Sequence, residues 1–168
     1  MKLRDTLLKE HSKAQCNKII KWIGKDQSRF DTLFRLFLND ESIVQQRAAW
    51  PMSYCVRAHP ELIQKHLGKL LANLEKPGHH DAIKRNSLRL IQDIEIPKKY
   101  QGTVMDQCIR FDSSPIEKPA IKAFAMGVLE QLIKLYSEIK REIRTIIEDN
   151  WENESAAFRS RAKRILRT

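Results

Sequence analysis

The sequence has few of the residues that interrupt helices or build sheets. Among 168 residues there are 5 glycines and 6 prolines, and valine occurs only four times. β-Sandwiches and barrels need frequent turns and β-branched strands, so this composition disfavours both classes. With 42% hydrophobic and 31% charged residues, the chain can form a core and is unlike a disordered protein. The length fits one domain of ordinary size.

Long apolar runs and paired cysteines are also missing. No stretch approaches the roughly 18 to 20 apolar residues of a membrane span, and residues 1–8 lack the apolar core of a signal peptide. Cys16, Cys55 and Cys108 are far apart and form no CxxC pair. We therefore expect buried thiols rather than zinc or redox ligands, in a cytoplasmic protein that does not contact membranes.

Recognisable catalytic and metal-binding motifs are scarce as well. The sequence contains no Walker loop, GxGxxG, GxSxG or HExxH motif. His79 and His80 precede Asp81, but adjacent histidines do not easily turn toward one ion, so we expect a loop before a helix start. We predict no catalytic residue, no metal, no cofactor and no small-molecule substrate. An enzyme whose site is assembled from scattered residues stays open as a third hypothesis.

What the sequence does contain is a repeat of about 38 residues. Four basic residues recur at spacings of 38, 37 and 39 residues, namely Arg47, Arg85, Lys122 and Arg161. Each lies a few residues into an amphipathic segment that follows a polar or Pro/Gly-containing turn. A second series of helical segments begins at Pro60, at Pro97 and near Ser137, with the same period. Agreement between two series indicates a repeat architecture.

Apolar spacing predicts where the helices lie. Residues at intervals of three and four predict helices over 60–74, 81–94 and 136–150. Ser113 or Ser114 is expected to cap a helix that begins near Ile116. The stretch 120–150 is predicted to hold two helices that break near residues 135–137.

The order of these segments resembles the HEAT family of helical repeats. In that family a Leu-rich helix leads, through a short turn that often contains Asp, into a second helix with Arg near its start. FDTLFRLFL, then NDES, then IVQQRAAWPMSYCVRA follow this pattern. The resemblance implies an all-α fold, a right-handed α–α superhelix of HEAT or armadillo type, as a single domain over residues 1–168. The expected parts are a capping helix at about 5–24 and repeats at about 26–58, 59–95, 96–135 and 136–168.

The resemblance also implies which surface binds partners. In HEAT proteins the second helices usually line the concave side, here roughly residues 43–57, 81–95, 117–135 and 155–166. The candidate binding residues on that face are Arg47, Trp50, Tyr54, Arg85, Arg89, Lys122 and Arg161. The four recurring basic residues have two interpretations. They would either form a stripe that binds phosphates or bridge adjacent repeats, and we favour the bridging role. A platform on which bases stack is one interpretation of Trp50, Tyr54 and Met126. We favour the other, in which these side chains belong to the core.

The charge distribution decides between two classes of partner. The formal net charge is +10, divided as +5 in residues 1–39, +1 in 40–78, +1 in 79–116 and +3 in 117–168. Nearly neutral middle repeats disfavour a uniform phosphate-binding channel. The leading hypothesis is therefore a non-enzymatic protein-binding scaffold. The alternative is a basic nucleic-acid-binding protein with the architecture of helical-repeat alkylpurine DNA glycosylases, although their catalytic constellation is not recognisable here.

Overall fold

Helices follow one another along the chain with short turns between them. A computed structural model describes residues 1–167, and no strand occurs among them. The ten α-helices are α1 (Leu3–Lys9), α2 (Lys13–Ile23), α3 (Gln27–Asn39), α4 (Ser42–Ala58), α5 (Leu67–Leu74), α6 (Asp81–Gln92), α7 (Lys98–Ser113), α8 (Pro119–Ile133), α9 (Lys140–Asn150) and α10 (Ala156–Arg167). Short 3₁₀ helices cover Pro60–His66, Ser137–Ile139 and Trp151–Asn153.

The chain divides into two compact units, and the first comprises Met1–Ile94. Helix α4 is central to this unit because it packs against α1, α2, α3 and α6. Phe30, Phe37, Met52 and Leu70 are fully buried in its core. Burying each such side chain contributes roughly 1.5–3 kcal/mol relative to leaving it exposed. The apolar stripes predicted from sequence thus face a common interior.

The second unit comprises Glu95–Thr168 and contains α7 to α10. Helix α8 is its centre and packs against α7 and α10. Met126, Leu129 and Phe158 are fully buried. The core interpretation of Met126 is therefore confirmed, and this residue is not part of a surface platform. The boundary between the two units, after Ile94, lies one residue before the predicted limit between the second and third repeats.

Local signals explain where several helices start and stop. The Ser12 hydroxyl accepts a hydrogen bond from the Gln15 N–H, and the Asp26 carboxylate accepts one from the Arg29 N–H, so both residues are N-caps. Gly24 ends α2 with φ +49°, in the left-handed region that favours glycine. These caps satisfy backbone groups that helix ends otherwise leave unpaired.

Three helix boundaries differ from the prediction. The capping segment predicted as one helix over 5–24 is two helices, because Ser12 caps a new start and separates α1 from α2. The helix expected from near Ile116 begins instead at Pro119, whose missing N–H suits a first helical position. The segment at 60–74 begins as a 3₁₀ helix and becomes α-helical at Leu67. The predicted break within 120–150 is confirmed.

Polar contacts join elements about one repeat apart in sequence. Hydrogen-bonded side-chain pairs separated by 32 to 36 residues are Arg4–Asp40, Asp31–Lys65, Asp31–His66, Arg57–Asp93, Gln101–Tyr136, Lys122–Glu154 and Glu130–Arg164. Each pair lies within one compact unit. The contacts thus follow the period of the sequence.

The three thiols are buried, as the sequence predicts. Cys16, Cys55 and Cys108 are free and buried. Burial raises the pKa of Cys16 to about 11 and that of Cys55 to about 12, so both thiols are protonated at neutral pH. Within residues 1–167, no helix has both the length and the apolar character needed to cross a bilayer.

Candidate functional site

A cleft of about 530 Å³ opens on the first unit and brings together five of the seven predicted binding residues. We call it the arginine–aromatic cleft; its lining is His11, Ile43, Gln46, Arg47, Trp50, Tyr54, His80, Ala82, Arg85, Asn86 and Arg89. Helix α4 contributes residues at intervals of three and four, and α6 does the same. Such intervals place side chains on one face of a helix. The cleft is thus formed by facing stripes of α4 and α6.

Arg47 is fixed in the cleft by the end of α1. Its Nη1 donates hydrogen bonds to the backbone carbonyls of Leu7 at 3.0 Å and Leu8 at 2.8 Å. These carbonyls belong to the last turn of a helix, which has no partners of its own for them. A guanidinium carries five N–H donors, so donors remain for a ligand. Arg47 therefore bridges neighbouring elements, as favoured from the sequence, while lining the cleft.

Tyr54 supports two arginines with its ring. The guanidinium carbon of Arg89 lies 5.5 Å from the ring centroid, and that of Arg57 lies 5.9 Å away. Arg57 also donates from Nε to Asp93 at 2.8 Å, and this contact raises the pKa of Arg57. Cations attract the faces of aromatic rings, so these contacts hold Arg89 in place at the cleft wall.

Trp50 and two histidines complete the other walls. The ring of Trp50 meets that of His11 edge-on, with centroids 5.4 Å apart. His80 is the N-cap of α6, since its Nδ1 accepts a hydrogen bond from the Ala82 N–H. Trp50 and Tyr54 are half-buried, so neither side chain is enclosed in the core. Both present part of an aromatic surface to the cleft.

Arg85 is the most available charge in the cleft. Its side chain is exposed, and it makes no hydrogen bond or ion pair with another residue in 1–167. The cleft lining contains three arginines and no aspartate or glutamate. Arginine binds carboxylates and phosphates in a bidentate manner. The arrangement is therefore suited to an anionic ligand that also carries an apolar or aromatic group.

Lys122, the sixth predicted residue, is not on a surface. Its side chain is only 6% exposed, and its Nζ donates a hydrogen bond to Glu154 at the turn before α10. Helix α8 is apolar on most of its circumference, so its position 122 faces neighbouring helices. The expectation of a binding role for Lys122 is corrected accordingly: the residue bridges elements of the second unit.

Asp112 adds a third ionisable group to this buried pair. Its side chain lies at the end of α7, and neither carboxylate oxygen has a hydrogen-bond partner in residues 1–167. Burial raises the pKa of Asp112 well above its usual value, although the positive charge of Lys122 opposes the shift. The cluster is enclosed, which makes it a structural feature rather than a ligand site.

Arg161, the seventh predicted residue, lies against a ring of its own unit. Its guanidinium carbon is 5.2 Å from the centroid of Phe124. Partial burial lowers the pKa of Arg161, and the nearby charge of Arg164 lowers it further. Within residues 1–167, Arg47 and Lys122 are therefore the two recurring basic residues that bridge elements by hydrogen bonds.

Comparison with known proteins identifies the family to which the chain belongs. A family model described as a HEAT repeat domain matches residues 3–168. The chain belongs to the HEAT repeat domain family. Nothing among curated proteins or solved structures matches it. The all-α helical-repeat fold predicted from the sequence is confirmed by this match and by the succession of helices.

Some cleft residues of this HEAT protein were missed at the level of sequence. His11 lies in the break between α1 and α2, which the prediction treated as continuous helix. His80 was assigned only to a loop. The available signal was helical spacing: Ile43, Gln46 and Ala82 share faces with predicted residues.

Proposed function

We propose that this HEAT protein is a non-enzymatic, cytoplasmic protein-binding module whose arginine–aromatic cleft holds an acidic segment of its partner. HEAT repeats commonly mediate protein interactions, and stacked helical repeats present extended binding surfaces. The observation that carries the proposal is the composition of the cleft, with three arginines, a tryptophan and a tyrosine but no acidic residue. Arg, Trp and Tyr are the residues most enriched in interface hot spots.

The cleft chemistry also describes the segment that fits. Carboxylates pair with arginine in bidentate geometry, and Trp50 and Tyr54 offer aromatic area at low entropic cost. We therefore propose a segment in which Asp or Glu residues flank at least one apolar or aromatic residue. Arg85 supplies the principal free charge, and Arg47 and Arg89 are held ready by their own contacts.

A charge reversal in the cleft tests the proposal. Wild type, Arg85→Glu and Arg35→Glu are compared by quantitative pull-down from the native lysate and by anisotropy titration of a labelled Glu-rich peptide that contains one Trp. Arg35 is exposed on α3, outside the cleft lining, and its variant carries the same charge change. We expect Arg85→Glu to lower affinity at least tenfold, because like charges repel at the site, while Arg35→Glu binds like wild type.

Two results would contradict the proposal. One is the absence of any stoichiometric protein partner together with no peptide binding at low salt. The other is equal weakening by both variants, which would indicate attraction by net charge alone and assign no role to the cleft.

A further inference from the structure

A second cationic surface lies on α10, within the second unit. The helix Ala156–Arg167 contains five basic residues and no acidic one. Its outer face and the preceding 3₁₀ turn line an open groove of about 630 Å³, formed by Trp151, Ala156, Arg159, Ser160, Lys163, Arg164 and Arg167. No acidic side chain belongs to this lining. We call this surface the α10 basic face.

The positive charges of this face are free and evenly spaced. Arg159, Lys163 and Arg167 are four residues apart, so they form one row along the helix. None of the three side chains makes an ion pair or hydrogen bond with another residue in 1–167. Lys163 and Arg167 are exposed, and Arg159 is half-buried. Three cations are thus held in register by the helix, and no side chain within residues 1–167 neutralises them.

Arg164 differs from these three residues because it forms an ion pair within the unit. Its Nη2 and Nε donate hydrogen bonds to the Glu130 carboxylate at 2.8 and 2.9 Å. The contact joins α10 to α8 and neutralises the charge of Arg164. Phe158, Ala162 and Ile165 are buried on the side of α10 that packs against the unit. The row of unpaired cations lies on a different side of the helix.

We propose that the α10 basic face binds single-stranded nucleic acid, with the row of cations along the phosphate backbone and a base stacked on Trp151. Four residues of helix rise by about 6 Å, so the row spans about 12 Å. A single strand carries one negative charge per nucleotide along its whole length, so a row of this length can contact its phosphate backbone.

Trp151 is the second reason for a single strand. The ring is half-buried and lies at the N-terminal end of the row, within the groove lining. Single-strand-binding surfaces combine a cationic track with aromatic rings on which bases stack, regardless of sequence. Bases in a duplex are already stacked on one another, so a duplex cannot use Trp151 without being opened.

Anisotropy titration of the full chain tests the assignment. The probes are labelled 12-nucleotide oligothymidylate, its RNA counterpart oligouridylate, a duplex of the same length and poly-glutamate of equal charge, at several NaCl concentrations. The variant is Arg159→Gln/Lys163→Gln/Arg167→Gln. The control, with the same loss of charge, is Lys13→Gln/Lys18→Gln/Lys21→Gln on α2, where all three side chains are exposed.

We expect one or both single strands to bind wild type and the control more tightly than the duplex does. The α10 triple variant should lose single-strand binding but keep any poly-glutamate binding, which the arginine–aromatic cleft would supply. Losing three phosphate contacts should reduce the log–log salt slope by about 2. Trp151→Leu should weaken binding by about tenfold with little change in that slope; unfolding midpoints verify that variants are folded. Absence of single-strand binding at low salt, equal effects of the two triple variants on that binding, equal binding of the duplex, or equal weakening of single-strand and poly-glutamate binding by the α10 triple variant would overturn the proposal.

Discussion

Arg47 and Arg85 occupy equivalent places in the repeat but differ in what their side chains contact. Arg47 donates to two carbonyls at the end of α1, whereas Arg85 projects from α6 without a partner in residues 1–167. We expect Arg47→Met to lower the free energy of unfolding by about 1–2 kcal/mol, because two carbonyls at the end of α1 lose a charged donor. Arg85→Met should change it by no more than about 0.5 kcal/mol. Urea denaturation followed by circular dichroism measures both; equal effects would contradict this assignment.

The buried pair of the second unit should be far more costly to break than an exposed one. Lys122→Met leaves Glu154 and Asp112 enclosed without a cation, so we expect a loss of about 3–5 kcal/mol in the free energy of unfolding. Arg164→Gln removes a half-exposed pair with Glu130 and should cost about 1 kcal/mol or less.

A double variant separates charge from packing in the same cluster. Lys122→Met/Glu154→Gln removes the stranded charge as well as its partner, so it should recover part of the stability that Lys122→Met loses. Chemical denaturation of wild type, Lys122→Met, Glu154→Gln and the double variant gives the four free energies of unfolding that the cycle needs. No recovery would mean that the loss arises from packing around position 122.

Asp31 predicts how the first unit responds to acid. Partial burial by itself raises the pKa of Asp31, but hydrogen bonds from Lys65, His66 and Gln27 outweigh this effect and hold the pKa at about 2. A folded-state pKa below the usual value of 3.8 means that folding favours the ionised form. Its contribution is present above about pH 4 and is lost as the pH falls toward 2.

Thermal unfolding between pH 6 and pH 2.5 measures this contribution. Wild type should lose more of its Tm over that interval than Asp31→Asn does, because the variant has no ionised group to lose. Parallel curves for the two proteins would show that Asp31 does not contribute to the acid response.

At the scale of elements, alanine substitutions at two glycines are expected to change stability in opposite directions. Gly24 ends α2 at φ +49°, where a Cβ is strained, so Gly24→Ala should destabilise the protein by about 1 kcal/mol. Gly102 lies within α7 with ordinary helical geometry, and an added Cβ meets no atom within 4 Å. Gly102→Ala should therefore stabilise by about 0.5–1 kcal/mol. The urea denaturation midpoints of wild type and of the two variants measure these changes. A shift of the same sign in both variants would contradict the argument.

Helices were predictable from sequence where apolar spacing is regular, and their ends less so. The break near residues 135–137 follows from the repeat period. The separation of α1 from α2 was missed, since Glu10, His11 and Ser12 include no Gly or Pro, although Ser12 is a residue that favours N-caps. The turn before Pro119 was misplaced because two serines and a proline offered competing start signals.

The candidate site was predictable to the extent that helical faces could be aligned. Arg85 and Arg89, like Trp50 and Tyr54, share faces by spacing alone, so their meeting in one cleft follows from the pairing of α4 with α6. Lys122 has an equivalent sequence position but is enclosed, because α8 is surrounded by neighbours in its unit. Whether a face is covered depends on packing, which the repeat period does not specify.

At the scale of the whole molecule, net charge affects encounter more than affinity. A protein of charge +10 attracts an acidic partner over distances that salt shortens, from a Debye length of about 30 Å at 0.01 M to about 8 Å at 0.15 M. We expect the association rate with a Glu-rich peptide to fall about tenfold between these salt concentrations, and the dissociation rate to change much less. Stopped-flow fluorescence separates the two rates. A salt effect confined to dissociation would contradict long-range steering.

The polar contacts between elements about one repeat apart have a consequence for biosynthesis. The pairs described above join residues no more than 36 positions apart, so each partner is synthesised soon after the other. A ribosome adds roughly 5–20 residues per second, so each residue waits only a few seconds for its partner to be synthesised. The amino-terminal helices can therefore make their contacts while the carboxy-terminal basic helix is still untranslated.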